Sequence, residues 1–200
     1  GLSTSRIEID LIDFAGDEFR AVDNRVMSLR LVQLGLTGAA MFSATGNVLQ
    51  PSEVLYKKPV LVSRGRLRPV THVNLDLAAA ALRAFVAEAD DVKPGETVSI
   101  MEITMRTLLA EGDVDLADFL SRADVLATTG HTVMISDFGE YYRLAAYLFS
   151  YTHRRIGLAL GAISLKEIFD EQYYTKLDGG ILESFGRLFK NNLKLFVYPY

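Results

Sequence analysis

The stretch Val60-Leu61-Val62-Ser63-Arg64-Gly65-Arg66-Leu67-Arg68-Pro69-Val70-Thr71-His72-Val73-Asn74-Leu75-Asp76 decides the fold. A short β-branched apolar run stops at a glycine, passes through a basic turn containing proline, and enters an Ala/Leu-rich segment. That order reads as strand, loop and helix. It brings a glycine, three alternating arginines and the first amides of a helix to one end of a strand. Helix amides and arginine forks at such a place are how α/β proteins hold phosphate.

From this unit outward the pattern becomes regular. Apolar runs at 59–63, 97–103, 132–136, 156–160 and 193–198 are bounded by polar residues or glycine. Helical patterns at 75–89, 115–128, 139–152, 164–174 and 179–190 lie between them. Alternating strands and helices of these lengths predict an α/β domain with a doubly wound, mainly parallel sheet of Rossmann-like type. Five such units are too few for an eight-stranded barrel. Ahead of it, residues 4–35 have helical character, and residues 40–49 read as a hairpin around Gly46-Asn47. The division expected is an N-terminal appendage of helices and hairpin, 1–58, and a Rossmann-like domain, 59–200. The chain stops inside a strand-like run at Tyr200, as a piece of a longer protein would.

Composition narrows the function classes. The chain has no cysteine, so disulfides, zinc–thiolate sites and thiol nucleophiles are excluded. Its three histidines are not at metal-ligand spacing, and no metal site is expected. The net charge of −4 speaks against bulk nucleic-acid binding. With no apolar run of about 18 residues, no membrane partner is expected. The charged N-terminal residues do not resemble a signal peptide, which predicts a cytoplasmic protein.

The run Gly65-Arg66-Leu67-Arg68-Pro69-Val70-Thr71-His72-Val73-Asn74 resembles the first signature of the HIGH-motif nucleotidyltransferases, Gly-x-Phe-x-Pro-x-(His/Thr)-x-Gly-His. These enzymes adenylylate nicotinate or nicotinamide mononucleotide and phosphopantetheine. Gly65, Pro69 and Thr71 match in register and Leu67 replaces Phe; Val73 stands for Gly and Asn74 for the second His. Ile163 and Ser164 fit the start of the second signature, Ile-Ser-Ser-Thr-x-x-Arg, and Phe169 replaces its Arg. The chain is also similar to an uncharacterised bacterial family of longer proteins labelled TonB-dependent receptor, although nothing in it has a receptor-barrel pattern.

The resemblance implies adenylyl transfer from ATP with Mg²⁺ to a mononucleotide-type acceptor. Thr71, His72 and Asn74 would then stabilise the reacting phosphorus, and Arg64, Arg66 and Arg68 would hold phosphates. Position alone adds Ser63, Gly65, Glu102, Ser136, Asp137, Gly161 and Ser164, since all lie where parallel strands present their carboxyl ends to a ligand crevice. Plainer roles compete. Thr71 or Asn74 is well placed to cap the helix, Asp137 with Glu140 has capping-box spacing, and a lone histidine in a turn is most often surface. The expected ligand is a nucleotide or phosphorylated metabolite. The alternative is a catalytically inactive regulatory or protein-interaction domain, favoured by the missing Gly-His and Arg. A homo-oligomer is compatible with either.

Overall fold

The computed structural model describes residues 9–88, 92–110 and 112–199. It is α/β, with one seven-stranded mixed sheet. The strands are β1 (Ala39–Phe42), β2 (Val48–Leu49), β3 (Val60–Arg64), β4 (Val98–Thr104), β5 (Thr132–Ser136), β6 (Ile156–Gly161) and β7 (Leu193–Tyr198). Their order is β2-β1-β5-β4-β3-β6-β7. The five strands expected from the apolar runs are all present and all parallel, with Arg64 opposite Glu102, Thr104 opposite Ser136 and Ser63 opposite Ala159. This arrangement is consistent with a Rossmann-like fold.

The hairpin, expected within an appendage, is built into the same sheet. β1 pairs antiparallel with β5, Ala39 against Ser136, and β2 closes that edge. Antiparallel edge strands on an otherwise parallel sheet are common in α/β folds.

The helices are α1 (Asn24–Gln33), α2 (Pro51–Val54), α3 (His72–Ala87), α4 (Met105–Leu108), α5 (Leu116–Thr128), α6 (Tyr141–Tyr151), α7 (Ala162–Ile168) and α8 (Gly180–Leu188). Because strand side chains alternate, each face of the sheet buries its own set. Val60, Val62, Ile100, Met134, Ile156, Leu158 and Leu160 pack with Leu144, Ala145 and Leu148 of α6 and Leu188 of α8. On the other face Met101, Ile103, Val133 and Ile135 pack with α1 and α5, while Leu61 and Ala159 pack with Ala81 and Phe85 of α3. Gly157 permits the close approach of α3: a Cβ there would lie 2.8 Å from both Leu61 and Phe85.

Several helix boundaries differ from expectation for local reasons. Of the expected helix 4–35, residues 4–8 lie outside the described residues. A 3₁₀ turn, Asp17–Phe19, follows Gly16 with its φ of 103°, and α-helix begins only at Asn24, where Asp23 caps the start. α3 begins at His72 rather than at 75, since Thr71 and not Asn74 is its N-cap; the expected end at 89 lies outside the described residues. The helix expected over 164–174 stops at Ile168, and Asp170 caps a separate 3₁₀ turn, Glu171–Tyr174. The short helices α2 and α4 were not expected; four residues are too few to show a helical period.

Candidate functional site: a cationic cleft at the strand-order reversal

From β3 the chain adds β4 and then β5 on one side, and returns to place β6 and β7 on the other. The strand order therefore reverses between β3 and β6. In open α/β sheets the crevice outside the carboxyl ends at such a reversal is where ligands bind. A cleft of about 700 Å³ lies there, bounded by the β3–α3 loop, α4, the start of α6, α7 and the turn at Tyr173–Tyr174. Five arginines line it: Arg64, Arg66, Arg68, Arg106 and Arg122. Among the described residues, Glu140 and Glu167 are the lining carboxylates. A hollow of about 810 Å³ at the hairpin-turn end is larger, but its arginines Arg20 and Arg25 are already paired with Asp17, Asp23 and Asp124.

Beneath the cleft runs a buried polar network. Arg64 donates from Nε to Glu102 Oε2 at 2.7 Å and from Nη2 to Glu102 Oε1 at 2.9 Å. It also donates to the carbonyls of Phe138 and Gly139, at 2.8 and 2.9 Å. Ser136 Oγ donates to Glu102 Oε1 at 2.5 Å. The guanidinium carbon lies 4.4 Å from the centre of the Tyr141 ring. Burial by itself would lower the Arg64 pKa, but the charge and hydrogen bonds of Glu102 override it and the net direction is up. Burial raises the pKa of Tyr141, against the opposing effect of Arg64.

Arg64, Glu102, Ser136 and Ser164 were all expected to face a ligand. The strand ends bring Arg64, Glu102 and Ser136 together, and these three bond one another, whereas Ser164 lines the cleft. An arginine has five N–H donors, and four of Arg64's are committed. Its expected role as a phosphate fork is therefore replaced by that of a staple joining β3, β4 and the 136–139 segment.

The expected catalytic trio has a different placement. Thr71 N donates to Asn74 Oδ1 at 2.9 Å, Thr71 Oγ1 donates to the same oxygen at 2.8 Å, and Asn74 N donates back to Thr71 Oγ1 at 3.4 Å. This is a reciprocal capping box on α3. Among the described residues lining the cleft, Thr71, His72 and Asn74 do not appear. Thr71→Ala is expected to lower unfolding stability by about 1 kcal/mol, the usual cost of a lost cap, and to leave pyrophosphate affinity unchanged. Denaturant titration and calorimetry on the same variant check both halves.

Ser63 is buried on the α3 side of β3, its Oγ without a partner, and does not line the cleft. Asp137 is exposed, and its backbone N–H bonds the Gly38 carbonyl. The capping box expected from Asp137 and Glu140 does not form, because Glu140 itself is the N-cap residue of α6. Gly161 is the N-cap residue of α7.

What faces the cleft with capacity to bind is Arg66. Its side chain is exposed, and no described carboxylate pairs with it. Arg68 is paired with Asp118 at 3.1 Å and Arg106 with Glu167 at 3.5 Å. The loop presents Arg66 by burying its neighbour: Leu67 is 3% exposed and has a φ of 50°. Gly65 lies beside it. A Cβ there would meet Leu67 and Asn74 only at 3.7–3.8 Å, so neither packing nor backbone strain demands glycine. A missing side chain instead leaves room at the cleft.

Reasoning from sequence missed Arg106, Arg122 and Glu167. Arg106 follows the carboxyl end of β4, so the rule that selected Glu102 would have found it a few residues later. Arg122 lies inside α5, where nothing but its spacing from Asp118 marks it.

No family model matches this chain, nor does any curated protein sequence or solved structure.

Proposed function

We propose that the protein binds a phosphate-bearing small molecule, a nucleotide or phosphorylated metabolite, in the cleft at the end of β3. The observation that carries this reading is Arg66, an arginine exposed in a cleft at the strand-order reversal with no carboxylate partner among the described residues. Its guanidinium presents a fork suited to two phosphate oxygens. Arg68 and Arg106 add positive potential around it. A doubly wound Rossmann-like arrangement agrees with such a ligand, as does the small residue at Gly65. If the ligand is ATP it brings Mg²⁺, an ion held by one or two carboxylates together with substrate phosphates. Glu140 and Glu167 are the residues that would serve.

Between the active adenylyltransferase and the inactive binding domain, we favour the second. The support is twofold: the hydroxyl proton of Thr71 is committed to Asn74 Oδ1 within the capping box, and Thr71, His72 and Asn74 are not among the described residues lining the cleft. A transition-state donor must instead be aimed at the developing charge, and losing one such donor commonly costs about 10²–10³ in rate.

The test is calorimetric titration of pyrophosphate, ATP and AMP into wild type and Arg66→Ala, alongside an assay of pyrophosphate release. A charged hydrogen bond contributes about 1.5–3 kcal/mol, so Arg66→Ala is expected to weaken binding by roughly 10- to 150-fold. Unchanged affinity in that variant would remove the reading. Robust pyrophosphate release by wild type would overturn the non-catalytic half alone.

A further inference from the structure

We infer that Arg122 is the positioning residue of this anion site, acting on the ligand through Arg66; the inference rests on the phosphate-binding reading above. Arg122 lies in the middle of α5, and its side chain is only 6% exposed. Its Nη1 donates to the backbone carbonyl of Arg66 at 3.2 Å, and its Nη2 bonds Asp118. Its Nε is buried with no partner.

This is a costly choice of residue for a helix face that otherwise buries Phe119, Ala123 and Leu126. An apolar side chain of similar volume in place of a buried ion pair is often neutral or stabilising. A guanidinium here does what an apolar chain cannot, which is to hold a loop carbonyl. α5 grips the loop on both sides of Leu67: Arg122 takes the carbonyl of residue 66, and Asp118 takes the side chain of Arg68. Leu67 shares its apolar cluster with Phe119 and Ala123. With its carbonyl fixed, Arg66 is presented to the cleft already ordered. A preorganised donor spares the ligand the cost of ordering it.

A double-mutant cycle separates positioning from direct contact. Pyrophosphate affinity is measured by calorimetry in wild type, Arg66→Ala, Arg122→Met and the double variant, at a temperature where circular dichroism shows each to be folded. Arg122→Met is expected to weaken binding by roughly tenfold in the wild-type background, within the range of coupled neighbours. In the Arg66→Ala background it is expected to change affinity by less than about twofold, because the group it positions is gone; independent sites would show the same loss in both backgrounds. Arg122→Lys, which keeps one cationic donor for the carbonyl but not the fork, is expected to fall between wild type and Arg122→Met, and it carries the test if the methionine variant does not fold.

An equal loss in both backgrounds would mean that Arg122 contacts the anion itself, and would overturn the positioning role. Full affinity in Arg122→Met would overturn it as well. If Arg66→Ala binds pyrophosphate as wild type does, the phosphate-binding reading falls first, and that single-variant result is distinguishable from either outcome at Arg122.

Discussion

Arg64→Ala is expected to lower unfolding stability by about 3–5 kcal/mol, the range for removing one partner of a buried ion pair. The reason is what remains behind. Glu102 is fully buried, and without Arg64 its carboxylate keeps only the Ser136 hydroxyl as a side-chain partner among the described residues. The carbonyls of Phe138 and Gly139 lose the donor that Arg64 supplies, and Tyr141 loses the cation over its ring. In a chain of this size each kcal/mol moves Tm by about 2–4 °C, so a fall of roughly 6–20 °C is expected in a thermal scan. The double variant Arg64→Met with Glu102→Leu removes both charges. It is expected to recover much of the loss, since no uncompensated charge stays in the core. A loss below about 1 kcal/mol in Arg64→Ala would show that water reaches Glu102 and that the network is no staple.

That network also shows why a sequence can bring residues to one edge of a sheet without revealing their partners. The rule used was that parallel strands share a carboxyl edge, and it needs only strand periodicity. It places Arg64, Glu102 and Ser136 at one edge, where the structure has them bonded to one another. Whether a charged residue at a strand end faces a ligand or a partner depends on strand order, because Arg64 meets Glu102 only when β3 and β4 are neighbours in register. Local pattern carries no register between strands 38 residues apart in these two side chains. The same limit hid Arg122, whose tie to the Arg66 carbonyl spans 56 residues.

Thr71 and Asn74 show the opposite case. Their spacing is a local signal, and local chemistry decided the outcome: a capping box needs only an N-cap and an N3 residue. The hairpin was legible for a similar reason, from two apolar runs around Gly46-Asn47. Its attachment to β5 was not, since an edge pairing leaves no mark in a four-residue strand.

The second large effect is expected at Leu67. Leu67→Ala is expected to cost about 2–5 kcal/mol, the range for truncating a buried leucine, because the side chain is 3% exposed within the cluster that holds Phe119 and Ala123. Leu67 also has a φ of 50°, a left-handed conformation that costs a non-glycine residue roughly 1–2 kcal/mol. The loop accepts that strain because an anchored Leu67 leaves Arg66 exposed to the cleft. Two consequences separate this account from simple core loss. Glycine normally costs about 0.5–1 kcal/mol more than alanine in regular structure; at position 67 the order should invert, so that Leu67→Gly is at least as stable as Leu67→Ala. The alanine variant should also bind pyrophosphate more weakly than wild type at temperatures where it is fully folded, because the loop that presents Arg66 has lost its apolar anchor. Denaturant titration of the two variants reads the first consequence and calorimetry the second. An alanine variant more stable than the glycine variant would show that the backbone at 67 relaxes once the side chain is gone. Wild-type affinity in a destabilised Leu67→Ala would show that the Arg122 bond to the Arg66 carbonyl fixes the loop without help from the core.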